Sequence, residues 1–73
     1  MTDLDHLQAA GETLHGRSVW KGPLADDLGV NPRTMRKWAA GDQPIPPGVW
    51  AELRALLREH SAQAAELAER LPT

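Results

Sequence analysis

Apolar side chains recur at helical spacing along the whole 73-residue chain, and turn residues cut it into four pieces. No stretch sustains the period-two alternation of a half-buried strand, and the β-branched residues are scattered. The pattern predicts an all-α fold: a compact bundle of about four helices with a long C-terminal helix. The first runs from about Asp3 to Leu14, with Leu4, Leu7, Gly11 and Leu14 on one face. Thr2 followed by Asp5 resembles a capping-box start, and Gly16 supplies the stop. Arg17-Ser-Val-Trp-Lys21 reads as a connector. Gly22-Pro23 is expected to open the second helix, since proline suits the first helical position. That helix turns Leu24, Ala25 and Leu28 inward and ends at Gly29.

After the tight turn Gly29-Val30-Asn31 a third helix follows, capped by Asn31, with Pro32 in its first turn, and it reaches about Ala40 before Gly41. Asp42-Gln-Pro-Ile-Pro-Pro47 is a stiff loop, because each proline fixes its own φ and restrains the residue before it. From Pro47 a long helix reads to about Leu71, where Pro72 follows. Val49, Trp50, Leu53, Leu56 and Leu57 are its candidates for closing the core. Leu53, Leu57, His60, Ala64, Leu67 and Leu71 alternate four- and three-residue steps, the spacing of a helix–helix seam.

Size and composition narrow what such a bundle can do. A chain of 8.0 kDa makes one domain, residues 1–73, and buries only about 60% of the surface it exposes when unfolded. A deep substrate cleft beside a core does not fit, and no small-molecule ligand or cofactor is implied. Cysteine is absent, which removes disulfides and Cys-based zinc sites together. His6, His15 and His60 match no metal-ligand spacing and read as surface or seam histidines. Asp26 and Asp27 are adjacent, so on a helix they point apart and do not form a paired-carboxylate site. With no supported Ser-His-Asp set and no Gly-rich phosphate loop, an enzyme is not expected. No apolar run approaches the roughly 20 residues of a membrane span, and MTDLDHLQAAGETL lacks the basic and apolar regions of a signal peptide. The expectation is a cytoplasmic protein. The three Trp are the only large aromatic residues. They fit the core better than base-stacking platforms, although Trp20, beside Arg17, Ser18 and Lys21, is placed to meet a nucleic-acid backbone as well.

The most informative segment is 22–40. Two short helices joined by a Gly-containing turn, the second amphipathic and basic, make a helix-turn-helix candidate. Ala25 is small where the helices cross, Gly29 allows the reversal, Val30 plugs the gap beneath the turn, and Met35 and Trp38 hold the second helix down. A wheel at about 100° per residue places Met35, Trp38 and Ala39 inward. Arg33, Arg36, Lys37 and Ala40 fall on the opposite arc, with Thr34 at its edge. Three cations, no acid and short side chains on one face suit insertion into a DNA major groove, where Arg bonds the guanine O6/N7 edge bidentately and Thr touches a thymine methyl.

This segment resembles the helix-turn-helix of Cro/C1-type (XRE-like) repressors, and Trp38-Ala-Ala-Gly41 with Pro44 resembles the exit that follows their recognition helix. The likeness spans roughly Arg17 to Leu57. It implies a small transcriptional regulator of the phage or mobile-element kind. It places Asn31, Arg33, Thr34, Arg36 and Lys37 at base edges, and Lys21, Gly22 and Pro32, with Arg17 and Ser18 beside them, at phosphates. The short first helix and the long Ala-rich last helix depart from the pattern of that family. The expected activity is a homodimeric repressor of an inverted-repeat operator on double-stranded DNA, with Leu57, His60, Ala64, Leu67 and Leu71 joining the subunits. The other reading is a protein-binding adaptor or an antitoxin-like module that docks a partner protein.

The formal charge of −2 argues against nucleic acid only until it is divided. Residues 1–14 hold Asp3, Asp5 and Glu12, net −3. Residues 15–41 hold Arg17, Lys21, Arg33, Arg36 and Lys37 against Asp26 and Asp27, net +3. Residues 42–73 hold Arg54, Arg58 and Arg70 against Asp42, Glu52, Glu59, Glu66 and Glu69, net −2. The cations gather on the helix-turn-helix candidate, where phosphate contact releases counterions and gives salt-dependent affinity.

Overall fold

Each of the first three helices ends where a glycine lets the chain reverse, and two of the three begin at a short polar side chain that accepts a free backbone N–H. The computed structural model describes residues 2–72; Met1 and Thr73, the ends of the expected domain, lie outside the described residues. The helices are α1 (Asp3–His15), α2 (Lys21–Leu28), α3 (Pro32–Ala40) and α4 (Pro47–Arg70), and no strand occurs among the described residues. The fold is all-α, with a long last helix.

At the start of α1 the capping box is complete. The Thr2 N–H donates to Asp5 Oδ2 at 3.0 Å, and the Asp5 N–H donates to Thr2 Oγ1 at 3.2 Å. The bond from the Thr2 N–H first, and the neighbouring Thr2 hydroxyl second, hold the Asp5 carboxyl below its ordinary range. The helix runs one residue beyond the expected Leu14, to His15, before Gly16 turns to φ 89°. Its inward face is also shifted. Leu7, Ala10 and Gly11 are buried, whereas Leu4, expected on that face, is 38% exposed at the rim.

The start of α2 corrects the sequence reading. The helix begins at Lys21, two residues before Pro23, with Trp20 already in helical conformation ahead of it. Pro23 therefore occupies the third helical position. The reason is that the first N–H required to bond back within the helix belongs to Leu24, which donates to the Trp20 carbonyl at 2.9 Å. The N–H missing from Pro23 would have been free in any case.

The core is built around Leu7, Leu24 and Met35, which are fully buried. Ala10, Trp20, Ala25, Trp38, Val49 and Leu53 surround them, so every helix and the connector contribute. Trp38 is there for its volume, because its Nε1 has no hydrogen-bond partner. Only the first three turns of α4 belong to this core: Trp50, Leu56 and Leu57 lean on it, half-buried. From Arg58 to Pro72 every residue is exposed, and the overhanging helix stretches the molecule to 47 × 25 × 23 Å.

A close contact joins α1 to the start of α2. A Cβ added at Gly11 would lie 2.6 Å from Trp20 Cδ2 and closer still to Cε3, so the indole rests directly on the α1 backbone. Gly11→Ala gains about 1 kcal/mol of helix propensity but forces a buried ring to move, at about 1–3 kcal/mol. The expected result is a net loss of stability, with a Tm lowered by several degrees in a circular-dichroism melt; a raised Tm would contradict the stacking. Acid sensitivity is expected at Asp5. Its folded-state pKa is depressed, so its contribution to stability is present above the unfolded carboxylate range and is lost as pH falls below about 4. Asp5→Asn is expected to flatten that acid limb when melting temperatures are compared across pH.

Candidate nucleic-acid interface

The orientation of α3 follows from its two ends and its two buried anchors. Asn31 Oδ1 accepts the Arg33 N–H at 2.7 Å, and Pro32 occupies the first position, where no N–H is needed. Upstream, Gly29 takes a left-handed φ of 67°, which a glycine adopts without strain. The Val30 N–H reaches back to the Ala25 carbonyl at 2.9 Å and the Gly29 N–H to that of Asp26 at 3.2 Å, a Schellman closure. The same pair of bonds ends α3: Asp42 N–H to the Lys37 carbonyl at 2.9 Å and Gly41 N–H to that of Trp38 at 3.1 Å. With both ends closed, Met35 and Trp38 are driven into the core and Ala39 is half-buried.

What remains outward is the cationic face. Arg33, Arg36, Lys37 and Ala40 are exposed, and Thr34 is half-buried at the margin, as the wheel predicts. Asn31 and Pro32 are exposed at the head of the helix. Ion pairs among the described residues are His15–Asp27 and Glu66–Arg70. None of the three α3 cations is spent on an internal carboxylate.

The residues expected at phosphates gather at one place. Arg17, Ser18, Lys21 and Gly22 are exposed around a shallow depression at the head of α2. No side chain caps this helix start, which leaves the Lys21 and Gly22 N–H groups of its first turn without a side-chain acceptor. The Lys21 ammonium lies 5.9 Å from the Trp20 ring centroid, within cation–π range. Lys21 and Ala39 also line a common hollow with Gln8 and Trp20, so the head of α2 and the tail of α3 meet. Pro32 stands apart from this group, at the head of α3.

Two features escape sequence reasoning. His15 Nε2 lies 2.6 Å from Asp27 Oδ2, tying the last residue of α1 to α2. This engages one of the two acids of the basic segment with a group that is cationic when protonated. Twelve residues separate the partners, and no local spacing announces the pair. The second feature is a groove between α1 and α4, floored by Ala10, Trp50, Leu53 and Leu57 and edged by His6 and Arg54. The His6 ring stands edge-on to Trp50 at 6.4 Å and 81°. Of the residues expected to join subunits, Leu57 is half-buried against the core. His60, Ala64, Leu67 and Leu71 are exposed on the overhang.

Among the described residues no group of three or more His, Asp or Glu side chains is placed to hold a metal ion. Among the described residues no helix is long and apolar enough to cross a membrane. No protein-family model matches the chain, and comparison with curated proteins and with solved structures gives no significant match.

Proposed function

We propose that the chain is a sequence-specific double-stranded DNA-binding regulator that acts as a homodimeric repressor on an inverted-repeat operator. One observation supports this above the others. α3 is closed at both ends and anchored by Met35 and Trp38, and it presents Arg33, Arg36 and Lys37 outward with no internal ion pair. On this reading α3 lies in the major groove. Arg33 and Arg36 bond guanine edges, Thr34 meets a thymine methyl, and Asn31 and Lys37 reach adjacent bases. Arg17, Ser18, Lys21, Gly22 and Pro32 set the register on the phosphates. A single module of this size covers about 600–1,000 Å² of DNA, and a two-fold site doubles that. Occupancy blocks polymerase sterically, and the work is done on the nucleoid, in the cytoplasm of a bacterial or phage-infected cell.

The second reading, an adaptor that docks a partner protein, draws on the uncovered half of α4 and the α1/α4 groove. Both readings hold together in an antitoxin-like module that represses its own operon.

Selection of bound DNA from a random pool returns operator, symmetry and half-site spacing together. On the selected site, Arg33→Ala and Arg36→Ala are each expected to cost about 1–3 kcal/mol and to relax sequence preference. Lys21→Ala is expected to weaken all sequences alike and to reduce the salt slope by about 1. Gel shifts on matched and scrambled sites check both. Equal loss on every sequence from the two Arg variants removes base reading; no enrichment of any sequence, together with a co-purifying protein, favours the adaptor.

A further inference from the structure

The overhang of α4 is a helix with nothing packed on it. Leu67 and Leu71 are 59% and 58% exposed. A wheel at about 100° per residue places Leu57, Ser61, Ala64 and Ala68 on one stripe. Leu71, the expected end of the helix, is instead the cap just past Arg70 and continues the stripe, which runs into the α1/α4 groove through Leu57 and Trp50. Its two flanks differ in charge. One holds Arg54 and Arg58 near the groove and Glu69 toward the free end; the other holds Leu56, His60, Gln63 and Leu67 and carries no Asp, Glu, Lys or Arg. Glu66 and Arg70 lie on the far face and pair with each other at 3.9 Å. Arg58 and Glu69 take part in no ion pair among the described residues.

We infer that this stripe binds a second copy of the chain, antiparallel, about a two-fold axis near Ala64. Charge selects both the partner and the direction. In an antiparallel pair each flank faces its own reverse, so Arg58 of one protomer stands level with Glu69 of its partner, and the contact occurs twice. In a parallel pair the charged flank faces the uncharged one and neither ion finds a counterpart. The apolar positions share the symmetry. Leu57 and Leu71 lie seven residues on either side of Ala64, about 10 Å along the axis. Leu71 of one copy therefore arrives at Leu57 of the other, at the groove closed by Trp50 and the edge of His6. The small residues near the axis, Ser61, Ala64, Ala65 and Ala68, let the two backbones approach. Such a contact is isologous and closes at two subunits. The inference names the partner in the DNA-binding reading, and it rests on that reading only for the purpose of the dimer.

Sedimentation of the full chain without DNA tests it. The expected mass is twice 8.0 kDa. The double variant Leu67→Asp, Leu71→Asp is expected to sediment as a monomer with an unchanged helical spectrum, since neither side chain belongs to the core. Arg58→Glu and Glu69→Arg each create like-charge contacts twice per dimer, and each is expected to raise the dissociation constant about tenfold. The two combined restore it. A wild-type chain that stays monomeric at millimolar concentration overturns the inference, as does a dimer indifferent to the double Asp variant. Combined reversals that fail to restore association overturn the antiparallel register. A dimer that selects no DNA supports the surface and removes only the DNA-binding reading; a monomer that selects single half-sites does the opposite.

Discussion

The contact on which the rest of the molecule depends is the Trp20 indole lying on the α1 backbone at Gly11. Trp20 belongs to neither helix, yet it is buried, and its carbonyl accepts the first helical N–H of α2 from Leu24. One residue thus fixes where α1 ends its contact, where α2 begins, and in which direction Lys21 leaves the surface. Only glycine at position 11 permits it, since any Cβ there would occupy the space of the ring. In a chain with three large aromatic side chains and no Phe or Tyr, one ring seated on bare backbone replaces the interdigitation that a richer core would supply.

From that anchor the geometry of α3 follows by short steps. The Schellman closure at Gly29 sets the exit of α2, the Asn31 cap sets the entry of α3, and three residues leave the turn little latitude. Met35 and Trp38 then fix the rotation of α3 about its own axis. The outward cationic face is the complement of these constraints: once two apolar residues three apart are committed inward, Arg33, Arg36 and Lys37 have nowhere else to point. The unpaired Nε1 of Trp38 is a cost accepted for filling that volume.

What was legible in the sequence is what local chemistry decides. The Thr2–Asp5 box, the glycine stops at 16, 29 and 41, the Asn31 cap and the inward pair of α3 each depend on neighbours within a few residues, and the structure has them where the spacing predicts. The errors lie where distant residues decide. Pro23 reads as a first helical position because proline suits that place, but Trp20, held by a contact with α1, starts the helix two residues sooner. Leu4 reads as inward from its periodicity but stands at the rim, while Ala10 is buried and lines the groove against α4: the covered side of α1 is set by Trp20 on one side and α4 on the other, not by spacing alone. The His15–Asp27 pair depends on two helices meeting, and nothing in either segment alone announces it. Of the expected site, the α3 face could be read from periodicity and charge, whereas the residues at the α2 head rest on the family resemblance and the start of that helix on the structure. The meeting of the two at the hollow of Lys21, Gln8 and Ala39 could not be read from the sequence.

The same distinction explains why the two halves of α4 differ. Its first three turns are committed to the core by Val49 and Leu53, and there the seam spacing and the core spacing coincide. Beyond Leu57 the seam continues with no core beneath it, so the periodicity that closes one domain is carried past its edge. Alanine and glutamate suffice to keep that stretch helical, but they give no reason for leucines at 67 and 71. Leu71 continues the stripe that leads back into the groove at Trp50, Leu67 stands on its uncharged flank, and the charges on the opposite flank change sign along its length. A solvated tail needs neither the stripe nor the sign change. A helix that meets its own reverse needs both.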